Sequence, residues 1–365
     1  MDALERLAFQ EVVSTMVLQR TIQYTAAHSL SVRWIEDDTA AASDMATFQA
    51  ILRTLQLPAA KELVIHETAG WTVGAEVQKI LLAAASHAPG RSLVILHYAG
   101  HGVEAADGTL RFVERLDRSA KGFNAELHFI GPTLEPDIDL NNVDVLIILD
   151  CCFAFTAGRA AETNPRIVEI ISATDHHSPL AFSPPRNTVT VKLLGEIRRR
   201  QRESYSRIEI ANVVDSLRAR EAAVKRPTHC LKLGAASICL PCAGLSTVDP
   251  TDIPPALRVL FSVHLSYDMS EEEQVRFANW IGSLPASVSM TLEGVYPTGS
   301  TCLVLACAWG AWAKVSNMRG FKYVADITGP STIRHREPPA IASPVKQENV
   351  PFHGQKTGPS AKPSW

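Results

Sequence analysis

Three features that mark secreted, membrane and nucleic-acid-binding proteins are missing from this sequence. The seven cysteines are odd in number and scattered along the chain, which argues against a disulfide framework and favours a reducing compartment. No apolar run approaches the roughly 20 residues that a membrane-spanning helix needs. The formal net charge is -3, so the charge balance points neither to nucleic acid nor to a membrane surface as a partner.

The first residues, MDALERLAFQEVV, also lack the basic flank and the small-residue cleavage site of a secretory signal. The composition is that of an ordinary globular protein, with 46% hydrophobic and 20% charged residues in a chain of 365. We therefore expect a soluble protein of the cytoplasm, with the nucleus as an alternative. The sequence predicts no cofactor and leaves a dependence on calcium open.

Short apolar runs alternate with stretches of helical periodicity, which indicates a mostly parallel sheet covered by helices on both faces. The sheet is predicted to have six strands, at residues 29–34, 61–67, 92–98, 141–150, 166–173 and 234–241. Helices are predicted at residues 43–55, 72–87, 190–201 and 206–220. The first of these helices takes Ser43 or Asp44 as its N-cap, and the last opens on a capping box from Ser206 to Glu209.

By composition the chain divides into four parts and a linker. Residues 1–28 predict a helix with one apolar stripe, which could pair with a partner helix or pack on the domain that follows. That domain covers residues 29–248, and DPTDIPP at 249–255 indicates the linker. Residues 256–330 predict a small α+β module, and the proline-rich, polar residues 331–365 predict a disordered tail.

Two motifs place a histidine and a cysteine directly after predicted strands. His101 follows the strand at 92–98 in the sequence HYAGHG, and Cys152 follows the strand at 141–150 in LIILDCCFAF. If these two strands are neighbours, both side chains lie at the carboxyl edge of the sheet, where open α/β sheets bind ligands. A thiol beside an imidazole is the arrangement that nucleophilic cysteine catalysis needs, because the imidazole takes the thiol proton.

These two motifs, about 50 residues apart with the histidine first, resemble the histidine and cysteine segments of the caspase-like peptidases. The resemblance is closer to the metacaspase and fungal caspase-like branch than to animal caspases, and it covers about residues 29–242. It implies a three-layer α/β/α sandwich and a cysteine endopeptidase acting on protein or peptide substrates. In that comparison His101 matches the general base and Cys152 the nucleophile. The backbone N–H groups of Gly102 and Cys152 match the oxyanion donors.

Asp150 is the next candidate, because strand alternation puts it on the same face as Cys152. The metacaspase resemblance implies that it binds an arginine or lysine side chain of the substrate, with help from an acidic residue after the first strand, Asp37 or Asp38. The alternative is that Asp150 caps the turn that follows. Cys151 points to the opposite face and is expected to be a buried, inert thiol with a raised pKa.

Two departures from the metacaspase pattern support a different function class. Metacaspases usually have His-Ser-Gly after the cysteine, whereas this chain has Phe153, Ala154 and Phe155. They often have a serine where this chain has Ala99. The alternative function is a catalytically silent caspase-like domain that acts as a signalling or interaction module. It is favoured by the altered loop after Cys152 and by the N-terminal helix and C-terminal module, which a minimal peptidase does not need. A second cysteine pair, CLPC at 239–242, has the spacing of half a zinc site, but no second CxxC accompanies it and we expect no metal there.

Overall fold

The computed structural model describes most of the chain between residues 7 and 327. The described residues are 7, 9–11, 13–14, 24–66, 70–117, 120–135, 139–154, 166–175, 179–181, 187–220, 226–234, 236–242, 257–284, 288–298, 301–316 and 320–327. The chain forms two units, Met1–Thr328 and Gly329–Trp365, and all described residues belong to the first. The predicted linker at 249–255 and the predicted tail at 331–365 lie outside the described residues.

A six-stranded sheet forms the centre of the described unit. Its strands are β1 (Ala26–Trp34), β2 (Lys61–Ile65), β3 (Ser92–Ala99), β7 (Val143–Asp150), β8 (Val168–Ser172) and β10 (Thr228–Leu233). They lie in the order β10-β8-β7-β3-β1-β2, and only β10 is antiparallel to its neighbour. Every residue of β3 and β7 is buried, as expected for central parallel strands covered on both faces. The predicted mostly parallel six-stranded sheet is confirmed.

Helices cover both faces of this sheet. They are α1 (Ala41–Thr54), α2 (Gly70–Ala85), α3 (Val189–Arg202) and α4 (Ile210–Arg220). Alternate residues of β3 belong to two separate apolar clusters: Ile95 packs in the cluster that contains Phe48 of α1 and Leu193 of α3, whereas Leu96 packs in the cluster that contains Val77 of α2. The two clusters are the two interfaces of a three-layer α/β/α sandwich.

The chain between β3 and β7 carries a small sheet that the sequence did not predict. Its strands are β4 (His101–Glu104), β5 (Leu110–Val113) and β6 (Gly122–Asn124), paired antiparallel. A π-turn at Glu126–Ile130 and a 3-10 turn at Gly131–Thr133 follow. The first residue of β4 is His101, so this small sheet helps to hold the candidate base.

Two predictions at the far edge of the sheet are wrong. The sixth strand is β10 rather than residues 234–241. Of the residues in that range that the structure describes, only Cys239–Pro241 form a strand, β11. The partner of β11 is β9 (Arg207–Glu209), so these residues are not the first turn of a helix, and the capping box from Ser206 to Glu209 does not form. The Glu209 carboxylate is instead buried against Lys314 and accepts a hydrogen bond from Asn212.

The C-terminal part of the described unit is an antiparallel sheet with two helices. The strands β12 (Arg258–His264), β13 (Thr291–Pro297), β14 (Thr301–Ala308) and β15 (Phe321–Ile327) lie in the order β13-β14-β12-β15. Helix α5 (Glu271–Gly282) begins with a capping box between Ser270 and Glu273. Strand β14 ends at Ala308, where α6 (Trp309–Val315) begins.

The described N-terminal residues are helical but the predicted helix is too long, because β1 begins at Ala26. Phe9 and Val13 are fully buried, and the Phe9 ring packs on Phe277 and Phe321 of the C-terminal sheet and helix. At these positions the apolar stripe packs within the chain, which was one of the two alternatives. Binding of a partner helix through residues 1–28 stays a prediction. Within the described residues, no helix has the length and apolarity to cross a membrane.

Candidate active site

The register of two central strands brings the candidate residues to one edge. Strands β3 and β7 are parallel neighbours, with Ala99 paired to Asp150, and the Gly100 N–H donates to the Asp150 carbonyl at 3.3 Å. His101 follows Ala99 by two residues and Cys152 follows Asp150 by two residues, so both lie just beyond the carboxyl ends of neighbouring strands. The prediction that these two strands are neighbours is confirmed.

Close packing explains the glycine after His101. A Cβ added to Gly102 would lie 2.3 Å from the carbonyl oxygen of Cys152 and 2.9 Å from Sγ of Cys151, distances that no side chain can occupy. Gly100 has φ +141°, a conformation that favours glycine. The start of β4 thus lies directly on the backbone of the two cysteines.

The His101 imidazole is held by an acidic side chain of another loop. Its side chain is 12% exposed, and Nε2 is hydrogen-bonded to Oδ1 of Asp38. The Tyr98 hydroxyl donates to the His101 carbonyl at 2.9 Å. The hydrogen bond with His101 lowers the pKa of Asp38. No hydrogen bond between the imidazole and Sγ of Cys152 occurs among the residues that the structure describes.

The two cysteines differ in the way the sequence predicts. Cys151 is 1% exposed, and burial raises the pKa of its thiol well above the usual range. Cys152 is partly exposed, and its Sγ accepts a hydrogen bond from the Ala181 N–H at 3.3 Å. The next residue, Phe153, has φ 55°, a conformation that is strained for a bulky non-glycine residue. Its N–H donates to the Pro179 carbonyl at 2.7 Å, so the turn after Cys152 is tied to residues 179–181.

Asp150 is buried and its carboxylate faces the start of α3. The side chain is 5% exposed, and Oδ2 accepts from the Thr190 N–H at 2.8 Å. This is the capping alternative that the sequence left open, although the cap acts on α3 rather than on the next turn. Burial raises the pKa of Asp150. Its role in substrate binding stays a prediction.

A second buried carboxyl group, Asp44 of α1, is not among the site residues that the sequence predicts. Asp44 is 3% exposed and accepts a hydrogen bond from Oγ1 of Thr188, the N-cap of α3, at 2.6 Å. Burial, and next the charge of Asp150, raise the pKa of Asp44 to about 7. In the described part of the chain, no basic side chain forms a hydrogen bond or ion pair with either carboxylate. The signal in the sequence is an aspartate near the predicted start of α1, and that position by itself indicates only an N-cap.

The other two predicted acidic residues have different partners. Asp37 accepts hydrogen bonds from the backbone N–H groups of Thr39 at 3.0 Å and Ala41 at 2.9 Å, so it supports the start of α1. Helix α1 therefore begins before Ser43, and the predicted N-cap at Ser43 or Asp44 is wrong. Asp38 contacts His101, as described above. Substrate binding by Asp37 or Asp38 stays a prediction.

One group of side chains has the geometry to hold a metal ion. Asp37, Asp38 and His101 offer ligand atoms that lie within 4.8 Å of one another. Asp37 already accepts from Thr39 and Ala41, and Asp38 and His101 bond to each other. The group is satisfied by these contacts, and we assign no metal to it. It is the only cluster of three or more possible ligands among the described residues, and neither cysteine of CLPC belongs to it.

A cavity of about 480 Å³ lies at the opposite edge of the sheet. Its walls include Ala26 and Leu93, near the starts of β1 and β3, and Cys239 of β11. The amino ends of parallel strands are not where such sheets bind substrates, so this cavity is separate from the candidate active site.

Comparison with known proteins gives solved structures of low similarity. No protein-family model and no curated protein matches the chain. Among solved structures, the chain is similar to caspase-1 from Spodoptera frugiperda, with a TM-score of 0.40, 11% identity, and coverage of 62% of this chain and 95% of that chain. It is also similar to protein GSU0716 from Geobacter sulfurreducens, with a TM-score of 0.38, 14% identity, and coverage of 57% and 93%. Similarities this low carry no argument about the activity of this chain or about the metacaspase branch.

Proposed function

We propose that the chain is a cysteine endopeptidase that uses His101 and Cys152. The observation that carries this proposal is the register of β3 and β7, because it brings the two residues to the same edge of the sheet. Cys152 is partly exposed while its neighbour Cys151 is buried, so Cys152 is the proposed nucleophile of the two.

In the proposed reaction His101 removes the thiol proton and the Cys152 sulfur attacks the peptide carbonyl carbon. The C–N bond then breaks, and the imidazolium gives its proton to the departing amine, which leaves a thioester. Water, deprotonated by the same imidazole, hydrolyses the thioester and restores the thiol. The N–H groups of Gly102 and Cys152 are the proposed oxyanion donors, each worth about 3 kcal/mol in comparable sites. A hydrogen bond between base and nucleophile that is absent without substrate can form in the substrate complex.

The proposed substrates carry arginine or lysine before the cleaved bond. Asp44 and Asp150 are two buried carboxyl groups, and Asp150 lies two residues before the nucleophile. An arginine or lysine side chain would supply the positive charge that this pair lacks among the described residues. The two carboxyl groups are only 3% and 5% exposed, so binding requires that Thr188, the N-cap between them, moves aside.

A direct test is covalent labelling by an arginine-directed, cysteine-reactive peptide probe, read by peptide mass mapping. We expect labelling at Cys152 in the natural chain and in Cys151→Ala, and none in Cys152→Ala. A matched probe with aspartate in place of arginine should label much more slowly, because two carboxylates would repel it. Labelling at Cys151, or faster labelling by the aspartate probe, would contradict the proposed site.

The alternative is a catalytically silent domain that acts as an interaction or signalling module. Three observations favour it: the imidazole bonds to Asp38, the Cys152 sulfur accepts from Ala181, and Phe153 adopts a strained conformation that fixes this turn. If a panel of basic, acidic and apolar peptides is not cleaved and iodoacetamide does not modify Cys152 in the folded chain, this alternative replaces the enzyme.

A further inference from the structure

The contact between Asp38 and His101 carries an inference that rests on the proposed function and extends it. We propose that Asp38 is a positioning residue: its carboxylate holds the Nε2–H of His101, which leaves Nδ1 as the nitrogen that accepts the Cys152 proton. The metacaspase resemblance implies a different role for Asp37 or Asp38, which is to help bind a basic substrate side chain.

The loop that carries Asp38 is anchored on both sides. Before it, Arg115 donates to the Glu36 carbonyl at 3.0 Å and to the Glu36 carboxylate at 2.9 Å. After it, Asp37 accepts the N–H groups of Thr39 and Ala41 and so ties the loop to α1. A carboxylate whose two neighbours are fixed has little freedom to leave the imidazole, although the Asp38 side chain itself is 63% exposed.

The hydrogen bond with Asp38 decides which ring nitrogen of His101 bears the proton. A neutral imidazole carries one N–H, and the nitrogen that bears it is set by the hydrogen bond that the nitrogen makes. A carboxylate can only accept, and the lowered pKa of Asp38 keeps it ionised at neutral pH. The proton is therefore on Nε2 and the lone pair on Nδ1, which has no hydrogen bond to any residue that the structure describes.

The orientation of the ring is supported from the backbone as well. The Tyr98 hydroxyl donates to the His101 carbonyl at 2.9 Å, and His101 pairs with Val113 in the small sheet. Tyr98 itself is stacked on Phe112, with ring centroids 3.5 Å apart. The main chain of His101 is thus fixed, so the carboxylate of Asp38 acts on the side-chain torsions and on the position of the proton.

The two possible roles of Asp38 predict different kinetics. A residue that binds the substrate side chain changes KM and the preference for arginine. A positioning residue changes kcat and leaves KM and the preference nearly unaltered. The binding role also has a better candidate in the buried pair Asp44 and Asp150.

The experiment compares Asp38→Ala, Asp38→Glu and the control Glu104→Gln in the full chain, with a peptide that has arginine before the cleaved bond. Glu104 is an exposed carboxylate at the end of β4, three residues after His101. We expect Asp38→Ala to lower kcat about 10-fold to 100-fold, less than the loss of a base itself because water partly replaces an exposed carboxylate. KM should stay within about twofold, Asp38→Glu should recover part of the activity, and Glu104→Gln should behave as the natural chain. An unchanged kcat, or a loss confined to KM, would overturn the proposal.

A second measurement does not depend on activity. Nitrogen-15 NMR of histidine-labelled protein in the Cys152→Ala background reports which ring nitrogen of His101 bears the proton. We expect the Nε2–H form in this background and a mixture of both forms once Asp38→Ala is added. A chain that cleaves no peptide but shows this change refutes the endopeptidase and keeps the positioning role. A chain that is active but shows the Nδ1–H form refutes the positioning role alone.

Discussion

Replacing Asp44 by asparagine should stabilise the protein at high pH while impairing its proposed activity. Asp44 is buried beside Asp150, and its pKa is raised from 3.8 to about 7. A carboxyl group with a raised folded-state pKa binds more protons in the folded than in the unfolded state between those two values. The free energy of unfolding therefore falls as pH rises through this window, and the full penalty is present above it.

The size of this effect follows from the shift. About three pKa units at 1.36 kcal/mol each give roughly 4 kcal/mol, an upper figure because Asp44 and Asp150 titrate as a pair. Asparagine keeps an oxygen that can accept the hydrogen bond of the Thr188 hydroxyl, so it removes the charge while this partner of Asp44 stays satisfied. The variant should equal the natural chain near pH 4 and exceed it by up to that amount near pH 8.

Urea unfolding of both proteins at several pH values between 4 and 8.5 measures the difference directly. Asp139→Asn, at an exposed aspartate, serves as the control and should change the free energy of unfolding by no more than about 0.5 kcal/mol throughout. Cleavage after arginine should decrease in Asp44→Asn, since one of the two charges that attract the substrate is gone. A variant that is less stable at every pH would refute the reasoning, because Asp44 would then be a structural residue whose charge is compensated.

Three further outcomes test other parts of the structure. Gly102→Ala should lower kcat/KM and cost about 1–3 kcal/mol in urea unfolding, because its Cβ would lie 2.3 Å from the Cys152 carbonyl oxygen; normal activity and stability would contradict this packing. Cys151→Ala should retain most peptidase activity while Cys152→Ala has none. The opposite result would show that Cys151, on the other face of the strand, is the nucleophile. Lys314→Met leaves the buried Glu209 carboxylate without its cation and should lower the free energy of unfolding by about 3–5 kcal/mol, so an unchanged thermal transition would show that the pair contributes little. The activity of Lys314→Met, measured well below that transition, should be unchanged because Lys314 lies on α6, outside the candidate site.

The central sheet was readable from the sequence because its strands are continuous apolar runs. The segments SLVILHY and VDVLIILD carry apolar side chains on both faces, which are buried only when helices cover both faces of the sheet. Every residue of β3 and β7 is buried. Strand alternation then separated Cys151 from Cys152 without any tertiary information. Short strands could not be predicted in this way. Residues 207–209 form a strand because β11, about 30 residues later, pairs with them. The local sequence pattern does not indicate such a distant partner.

The acidic residues of the candidate site show most clearly which features the sequence predicts and which depend on the tertiary structure. The sequence by itself determined that several carboxylates follow β1 and that one precedes the two cysteines at the end of β7. It did not determine which of them meet, because that depends on the path of a loop rather than on a repeating pattern. Asp37 supports α1, Asp38 turns to His101, and Asp44 lies one turn into α1 beside the N-cap of α3. Only the packing of α1 against α3 brings Asp44 close to Asp150. The position of a buried charge depends on how the surrounding helices and strands pack, and not on the number of residues that separate it from its neighbour in the sequence.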